Sequence, residues 1–390
     1  MRACNADESV ARVPSSMPSL RIALFLPSLE GGGAERVFVQ LANEFAAMGF
    51  RVDLVLAQAR GSYIDKVSEI VQIVDLGASG VLQAVPKFSR YLQEATPRAV
   101  LSGLDHANIA AILSCVISRT GTRCVVSVRA VPTAVYRAKR SIRRWLILQA
   151  TKVAYRFSDE IVACSRGVAK DLLDSLHINA DKISIIYNPL DMPAIDESSK
   201  AASNHPWLSS EDSPLIVSVG SLTVFKDFKT LIRAFSLVRS KHKARLAILG
   251  EGPQRRELES LARVLNLQSD VYLPGFVENP YIWMRRANVF VSSSLTEGCP
   301  NVLMEALACD TPIVSTDCFG GSSEILLGGE FGCLVPVGDS EAMARAIVST
   351  LTSSSRVDGQ RRARDFSVAA IAKQYLRVIL PSHLPYGSKG

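Results

Sequence analysis

The sequence predicts two doubly wound α/β domains in tandem, and three observations point to this fold class. Short apolar runs alternate with amphipathic stretches of helical period from Arg21 onward. Such strand–helix–strand alternation implies a parallel sheet with helices on both faces. The alternation stops in the polar stretch 196–212 and then resumes, as expected of a linker. The length of 390 residues also fits two domains of about 100–200 residues each.

The predicted strands are short runs rich in Val, Ile, Leu and Ala. In the first half they are Arg21–Leu26, Arg51–Leu56, Arg98–Leu101, Arg123–Val128, Glu160–Ala163 and Ile183–Tyr187. In the second half they are Leu215–Gly220, Arg245–Leu249, Asp270–Leu273, Asn288–Ser292, Pro312–Ser315 and Gly332–Val335. Between the first two strands we expect a helix over Ala34–Met48, because Val37, Phe38 and Leu41 share one helical face and Gly49 follows as a stop.

The periodicity divides the chain into five parts. Residues 1–20 have no periodicity and lack the apolar core of a secretory signal, so we expect a disordered tail. The first domain is then 21–195, the linker 196–212 and the second domain 213–355. Residues 356–390 are expected to be a helical segment that packs back on the first domain. Ligands of such folds bind beyond the carboxyl ends of the strands, which predicts a site in the cleft between the domains.

The composition excludes several classes of protein. The 24 Gly and 18 Pro exclude collagen-like and low-complexity chains, and no apolar run approaches the ~18 residues of a membrane span. The 44 Lys and Arg against 37 Asp and Glu give a net charge of +7, which favours anionic partners. The eight cysteines form no C-x-x-C pair and no zinc-type cluster with His. We therefore expect a reduced, cytoplasmic protein.

A glycine-rich turn joins the first strand to the first helix. Gly31, Gly32 and Gly33 let backbone N–H groups approach an anion closely at the helix start. The dinucleotide fingerprint G-x-G-x-x-G requires a third glycine where Arg36 stands, which argues against a nicotinamide cofactor. Phosphate or sugar contact is the favoured interpretation, and a tight turn without a ligand is the alternative.

An acidic pair follows the strand Asn288–Ser292. Glu297 precedes a helix that Pro300 introduces, and Glu305 lies further along that helix. The first turn of such a helix offers unpaired backbone donors to phosphates, while the two carboxylates can accept hydrogen bonds from sugar and ribose hydroxyls. The alternative is a structural role, with two acids complementing the helix dipole at ~0.3–1 kcal/mol each.

The E-x7-E spacing of Glu297 and Glu305 resembles the donor-site signature of retaining GT-B glycosyltransferases of family 4, the group 1 enzymes of bacterial polysaccharide synthesis. Further stretches resemble other blocks of this family in the same order, over about residues 21–378. They are Leu26–Ala42, Ile185–Asp191, Val217–Phe235, Leu246–Pro253 and Gly332–Asp339. The resemblance implies two Rossmann-like domains facing across a cleft, the first binding the acceptor and the second the nucleotide-sugar.

The resemblance also implies roles for single residues. Lys226 matches the lysine that contacts the donor diphosphate, Glu297 the acid near the transferred sugar, and Glu305 the acid that binds the ribose. Other expected donor contacts come from the glycine turn, a base-binding loop and the helix after Pro300. These residues are Gly32, Gly33, Ser221, Phe276, Val277, Gly298, Asn301, Val302 and Leu303.

Ser221 departs from the family pattern, which has Arg directly after the glycine equivalent to Gly220. The loss of one cationic phosphate donor removes ~1.5–3 kcal/mol of charge-assisted hydrogen bonding. Either another basic group compensates, or donor affinity is lower. This departure keeps a nucleotide-sugar-binding protein without catalysis as one alternative.

Two residues at strand ends in the first half are further candidates. His106 follows the strand Arg98–Leu101, and a similar family histidine lies near the transferred sugar. A lone histidine is as often a structural, hydrogen-bonded residue, and both interpretations stay open. Arg129 ends the strand Arg123–Val128 and is a weaker candidate for the phosphates of the acceptor.

A basic stretch in the first half suits an anionic membrane surface. Five cations lie within eight residues and are followed by Trp145 and three aliphatic residues. The cations are Arg137, Lys139, Arg140, Arg143 and Arg144. Each cation near an anionic surface contributes ~1 kcal/mol. A solvated helix face is the structural alternative, and the lack of aromatic interleaving argues against nucleic acid.

These observations predict a retaining glycosyltransferase that moves a sugar from a nucleotide-diphosphate sugar, UDP-sugar favoured, to a lipid-linked or growing glycan in bacterial surface polysaccharide synthesis. The chain has no D-x-D motif, so no metal cofactor is expected and the nucleotide-sugar is a co-substrate. We expect the protein on the inner face of the cytoplasmic membrane, as a peripheral protein. A sugar-nucleotide epimerase of the same fold is the alternative enzyme.

Overall fold

The chain forms two parallel sheets, one of seven strands and one of six. The computed structural model describes residues 20–30, 32–133, 142–203, 205–209, 213–353 and 357–381, and the structural statements that follow concern these residues. The two sheets succeed one another along the chain, with helices between their strands. The prediction of two doubly wound α/β domains is confirmed.

The N-terminal domain has the strand order β3-β2-β1-β4-β5-β6-β7. Its strands are β1 (Arg21–Leu26), β2 (Arg51–Leu56), β3 (Gln72–Asp75), β4 (Ala99–Gly103), β5 (Arg123–Val128), β6 (Glu160–Ala163) and β7 (Ile183–Ile185). Its helices are α1 (Gly33–Ala47), α2 (Val85–Ala95), α3 (Asp105–Ser118), α4 (Ile142–Ala154) and α5 (Arg166–Leu176). No described helix is both long and apolar enough to cross a membrane.

Two helices, α6 (Met192–Ser199) and α7 (Pro206–Ser209), lie between the two sheets in the chain. The C-terminal domain has the strand order β10-β9-β8-β11-β12-β13. Its strands are β8 (Leu215–Val219), β9 (Arg245–Leu249), β10 (Val271–Gly275), β11 (Val289–Ser292), β12 (Ile313–Thr316) and β13 (Cys333–Val335). The remaining helices are α8 (Phe228–Arg239), α9 (Arg255–Val264), α10 (Tyr281–Arg286), α11 (Asn301–Ala308), α12 (Ser322–Ile325), α13 (Ser340–Thr352), α14 (Gly359–Ala363) and α15 (Val368–Ile379).

The structure differs from the sequence prediction at β3 and at the linker. β3 is an edge strand whose residues are exposed or half-buried, so it lacks the apolar run by which the other strands were predicted. The stretch 196–212 begins inside α6, where the Asp191 side chain caps the helix by accepting from the Ala194 N–H at 3.2 Å. Only Ile195 and Ser199 are buried in α6, so its apolar face is too narrow to register as a helical period.

The order of strands reverses between β1 and β4 in the first sheet and between β8 and β11 in the second. Loops that leave neighbouring strands in opposite directions open a crevice at such a point. The predicted site residues follow these four strands: Gly32 follows β1, His106 follows β4, Ser221 follows β8 and Glu297 follows β11. The topology therefore directs them towards the cleft.

The C-terminal helix α15 packs on the N-terminal domain. Its residues Ile371, Tyr375 and Leu376 are buried in one apolar cluster with Phe38 and Leu41 of α1. The Tyr375 hydroxyl lies 3.3 Å from the Ser127 Oγ at the end of β5. The last helix of the chain thus completes the core of the first domain.

Leu376→Ala is expected to lower the free energy of unfolding by about 2–5 kcal/mol, because truncation leaves a cavity in a site that is 3% exposed. Lys373→Ala, on the exposed face of the same helix, is the control and should change it by less than about 0.5 kcal/mol. Urea unfolding followed by circular dichroism measures both. Equal effects of the two substitutions would contradict the packing of α15.

Candidate functional site

The N-termini of α1 and α11 meet across the cleft. Gly33 begins α1, and a Cβ atom at this position would lie 3.5 Å from the Nδ2 of Asn301, which begins α11. The Asn188 Nδ2 donates to the Asn301 Oδ1 at 2.5 Å and ties this corner to the N-terminal domain. Helix N-termini present unpaired N–H groups and a partial positive charge. Two of them together form a place for an anionic ligand.

Leu303 differs from its predicted role in this corner. Its amide donates to the Pro300 carbonyl at 3.0 Å, and its side chain is fully buried in the core. Leu303 therefore has no free donor to offer a phosphate. Asn301 and Val302 are both half-buried, so the backbone N–H groups of these first two residues of α11 are the ones that can face the cleft.

Lys226 and Glu297 form an ion pair in the C-terminal domain. Lys226 follows β8 and Glu297 follows β11, and these strands are neighbours in the sheet. The Lys226 Nζ contacts the Glu297 Oε1, to which the Ser294 hydroxyl also donates at 2.6 Å. Both ionised side chains are mostly shielded from solvent, at 20% and 12% exposure. An ammonium held in this way can stabilise negative charge that develops on a leaving group.

Ser221 is exposed beside this pair. It follows Gly220, over which the Lys226 side chain folds, with its Cε 3.2 Å from the position of a Cβ at Gly220. A Cβ at 220 would require the lysine side chain to shift by a few tenths of an ångström. Lys226 is thus a cation close to position 221, where the family pattern has an arginine in place of Ser221.

Glu305 lies one helical turn deeper than Asn301 and is 4% exposed. The Arg36 Nη2 of α1 donates to its Oε1 at 2.5 Å, and the Arg36 Nη1 donates to the Tyr281 hydroxyl at 3.3 Å. Burial alone would lower the pKa of Arg36, but Glu305 and Tyr281 raise it above its ordinary value. Burial and the Glu305 charge raise the pKa of Tyr281. Both groups therefore keep their protons at any physiological pH.

Sequence reasoning did not find Arg36 as a site residue, because it entered only as the residue that breaks the dinucleotide fingerprint. The sequence could have indicated Arg36 by its position. It lies three residues after Gly33, one helical turn inside α1, and therefore on the same side of the helix as the glycine turn. Arg36 and Glu305, together with Tyr281 and Asn301, line a cavity of about 340 Å³ between α1 and the connection to the C-terminal domain.

Arg129 belongs to a hydrogen-bonded network in the N-terminal domain. Its guanidinium donates to the Ser127 hydroxyl at 3.0 Å, to the Tyr375 hydroxyl at 3.3 Å, and to Asn188. It also lines a cavity of about 250 Å³ with Glu297 and Gly298. A Cβ at Gly298 would lie 2.3 Å from the Arg129 carbonyl oxygen, so the absence of a side chain at 298 allows the two domains to approach here.

The other predicted residues that the structure describes are placed by their elements alone. Gly32 is the N-cap of α1, and His106 is an exposed residue in the first turn of α3. Phe276 is 80% exposed in the loop after β10, and Val277 packs partly against the core. Of the predicted basic stretch, Arg137, Lys139 and Arg140 lie outside the described residues, as do the side chains of Arg143 and Arg144 in α4.

The cysteines near the cleft are not activated nucleophiles. Burial raises the pKa of Cys164 to about 12 and also raises that of Cys299. A thiol of this kind carries almost no thiolate at neutral pH. Within the described part of the chain, no group of three or more His, Cys, Asp or Glu residues is arranged to hold a metal ion.

A double-mutant cycle measures the contact between Arg36 and Glu305. Arg36→Met leaves a buried carboxylate without its cation and is expected to lower the free energy of unfolding by about 1–3 kcal/mol. In the Arg36→Met, Glu305→Gln double variant the loss should be smaller than the sum of the two single losses. Additive losses in urea unfolding would show that the two side chains do not interact in solution.

Known proteins resemble the chain over nearly its whole length. Residues 31–192 match Glycosyltransferase Family 4, and residues 213–353 match Glycosyl transferases group 1. The N-acetylgalactosamine-N,N'-diacetylbacillosaminyl-diphospho-undecaprenol 4-alpha-N-acetylgalactosaminyltransferase of Campylobacter jejuni is 30% identical over 92% of this chain and 99% of that protein.

A second Campylobacter jejuni protein is 24% identical over 92% of this chain and 98% of that protein. Its name describes an alpha-1,4-N-acetyl-D-galactosaminyltransferase that acts on a diphospho-undecaprenol glycan. Among solved structures, Anabaena Alr3699/HepE in complex with UDP and glucose has a TM-score of 0.78 at 19% identity, over 94% of this chain and 100% of that one. A glycosyltransferase of Rickettsia africae has a TM-score of 0.74 at 16% identity, over 93% and 98% of the two chains.

The structural likenesses confirm the GT-B fold, with two Rossmann-like domains facing across a cleft. The matches to both domains and the Campylobacter relative establish the family on sequence. The chain is therefore a glycosyltransferase and belongs to glycosyltransferase family 4.

Proposed function

We propose that this enzyme transfers a sugar, with retention of configuration, from a nucleoside-diphosphate sugar to a glycan acceptor carried on a lipid diphosphate. The observation that carries the proposal is the meeting of two helix N-termini, with the buried carboxylate of Glu305 one helical turn away. Lys226 is held by Glu297, four residues before α11 begins. A diphosphate fits the N-termini, and the ribose that follows it in a nucleotide fits Glu305. UDP is the favoured nucleotide.

The proposed mechanism needs the site to stabilise a departing diphosphate. The bond between the sugar C1 and the phosphate oxygen breaks while the acceptor oxygen attacks the same face. The departing phosphate oxygen takes the acceptor proton, so no separate base is required. Lys226 and the N-termini of α1 and α11, each equivalent to about half a positive charge, stabilise the growing negative charge. We propose that this set of groups acts without a metal ion.

The other proposed roles follow from position. Glu297 orients Lys226 and accepts hydrogen bonds from the transferred sugar, and His106 acts near that sugar from the opposite domain. Phe276 and Val277 contact the base, and Arg129 is a candidate for the phosphates of the acceptor. The names of the Campylobacter relatives, which specify diphospho-undecaprenol substrates, support an acceptor of this class. Relatives named for lipopolysaccharide and colanic acid synthesis support a role in bacterial surface glycans.

We also propose that the N-terminal domain contacts the membrane where such an acceptor resides. Large apolar side chains are 41–64% exposed on α3, on α4 and just after α4. They are Leu113, Val116, Ile117, Trp145, Leu146, Val153 and Phe157. The basic stretch 137–144 follows the three residues of α3 and lies directly before Trp145 in the chain. Apolar side chains flanked by cations suit the interface of an anionic bilayer.

Donor binding tests the nucleotide site. Saturation-transfer NMR with a panel of UDP-, GDP- and ADP-sugars is expected to show that the protein binds one donor selectively. Lys226→Ala and Glu305→Ala should each bind this donor at least about tenfold more weakly, since each removes a charged contact of about 1.5–3 kcal/mol. Lys241→Ala, an exposed lysine remote from the cleft, is the matched control. Unchanged binding by both site variants would refute the donor site. Binding without turnover in the presence of acceptor would favour the non-catalytic alternative.

Vesicle binding tests the membrane surface. The Trp145→Ser, Leu146→Ser double variant is expected to sediment with anionic phospholipid vesicles at least about tenfold less, because each apolar side chain contributes roughly 1.5–3 kcal/mol when buried. Val264→Ser, a 75% exposed residue of the C-terminal domain, is the control. Weak binding of the unmodified protein to anionic vesicles, or equal binding by both variants, would contradict this surface.

A further inference from the structure

Helix α5 of the N-terminal domain begins with backbone N–H groups that lack partners inside the helix. The Ser165 hydroxyl accepts from the Val168 N–H at 3.1 Å, in an ordinary N-cap. The N–H groups of Arg166 and Gly167 donate instead to the two carboxylate oxygens of Glu324, at 2.8 and 3.1 Å. Glu324 lies in α12 of the C-terminal domain, so one domain caps a helix of the other.

A third donor to this carboxylate also comes from the N-terminal domain. The Tyr187 hydroxyl donates to the Glu324 Oε2 at 2.9 Å. Burial, together with this hydrogen bond, raises the pKa of Tyr187 to about 12, so the hydroxyl remains a donor at neutral pH. The charge of Glu324 is also favourable at a helix N-terminus. One carboxylate thus satisfies three donors that belong to the opposite domain.

The backbone of Glu324 is tied to its own domain. The Arg362 guanidinium donates to the Glu324 carbonyl at 2.8 Å and to the Ile325 carbonyl at 3.0 Å. Glu324 therefore moves with the C-terminal domain as a unit. If the domains separate, its side chain leaves α5 and exposes the Arg166 and Gly167 N–H groups to water.

The same contact reaches Glu297. A Cβ at Gly167 would lie 2.6 Å from the Cα of Gly320, so these two backbones meet because residue 167 has no side chain. The Glu297 N–H donates to the Phe319 carbonyl at 3.1 Å, and a Cβ at Gly320 would overlap the Glu297 carbonyl. The backbone that touches α5 is thus the backbone that supports Glu297.

We propose that Glu324 is a positioning residue, a latch that holds the two domains closed and thereby keeps Glu297 at the cleft. It acts through the caps of Arg166 and Gly167 and through Tyr187, without contact to the substrate. The latch is defined by contacts between described residues, and only its effect on turnover rests on the proposed function.

Three variants and a control test the latch in the full-length protein. Glu324→Ala removes the carboxylate that accepts all three hydrogen bonds. Glu324→Gln places an NH2 group opposite one of the backbone N–H groups, where it cannot accept a hydrogen bond. Tyr187→Phe removes only the hydroxyl donor. Glu330→Gln, which alters an exposed ion pair with Arg361 inside the C-terminal domain, is the matched control. Amide hydrogen exchange at Arg166 and Gly167 measures how well their N–H groups are protected by Glu324. Small-angle X-ray scattering measures the separation of the domains, and enzyme kinetics measure the effect on sugar transfer.

The latch predicts amide exchange at Arg166 and Gly167 at least about tenfold faster in Glu324→Ala, with a larger radius of gyration. It also predicts a turnover number at least about tenfold lower and a donor dissociation constant at least about threefold higher, since closure brings the N-termini of α1 and α11 together around the diphosphate. Glu324→Gln and Tyr187→Phe should show smaller changes in the same direction. Glu330→Gln should match the unmodified protein.

Unchanged exchange and an unchanged radius of gyration in both Glu324 variants would overturn the latch, and so would a turnover number equal to that of the unmodified protein. If a Glu324 variant unfolds, Tyr187→Phe takes its place in the test. Faster amide exchange at Arg166 and Gly167 in Tyr187→Phe, with an unchanged thermal midpoint, would support the latch. Unchanged exchange at these two residues would argue against it. If the unmodified protein transfers no sugar from any donor, the proposed function fails, while exchange and scattering still decide the latch.

Discussion

The meeting of two positive helix ends is the constraint on which the site depends. α1 and α11 point their N-termini at the same corner of the cleft, and like partial charges repel unless an anion lies between or beside them. The carboxylates near this corner do not cancel that charge, because each is already paired with a cation, Glu297 with Lys226 and Glu305 with Arg36. The corner is therefore prepared for an anionic ligand before one binds.

Three polar contacts join the two domains around this corner, beside a buried apolar cluster that also contains residues of both domains. The Arg36–Glu305 ion pair, the Asn188–Asn301 hydrogen bond and the cap of α5 by Glu324 all cross from one domain to the other. Polar contacts of this kind exchange with water and ligand more readily than apolar contacts do. The close backbone approaches at Gly167 and Gly298 make the closed arrangement specific, because they fit in one register only.

Elements with strong apolar runs could be predicted from the sequence, and β5 and β6 have the predicted bounds. β3 and α6 could not, because an exposed edge strand and a helix with one narrow buried face leave little hydrophobic pattern. Lys226 and Glu297 were predicted separately, and the pairing of β8 with β11 explains why they meet. Their ion pair is a tertiary contact that no spacing encodes.

The contact that escaped prediction joins residues that lie far apart in the chain. Arg36 and Glu305 are separated by 269 positions, and neither has a local pattern that indicates the other. Leu303 was assigned by its place at a helix start, whereas its amide and side chain are already engaged within the protein. A short sequence pattern can predict where a helix begins. Which side chains lie opposite that helix end is determined by how the two domains pack against each other.

The position of α15 has a consequence for synthesis on the ribosome. The last strand of the N-terminal sheet ends at Ile185, but the helix that fills part of its core begins at Val368. The domain made first is therefore the domain finished last, after the whole C-terminal domain has emerged. Until then the apolar side of α1 that receives Tyr375 is uncovered in the nascent chain, at a stage when exposed apolar surface favours aggregation.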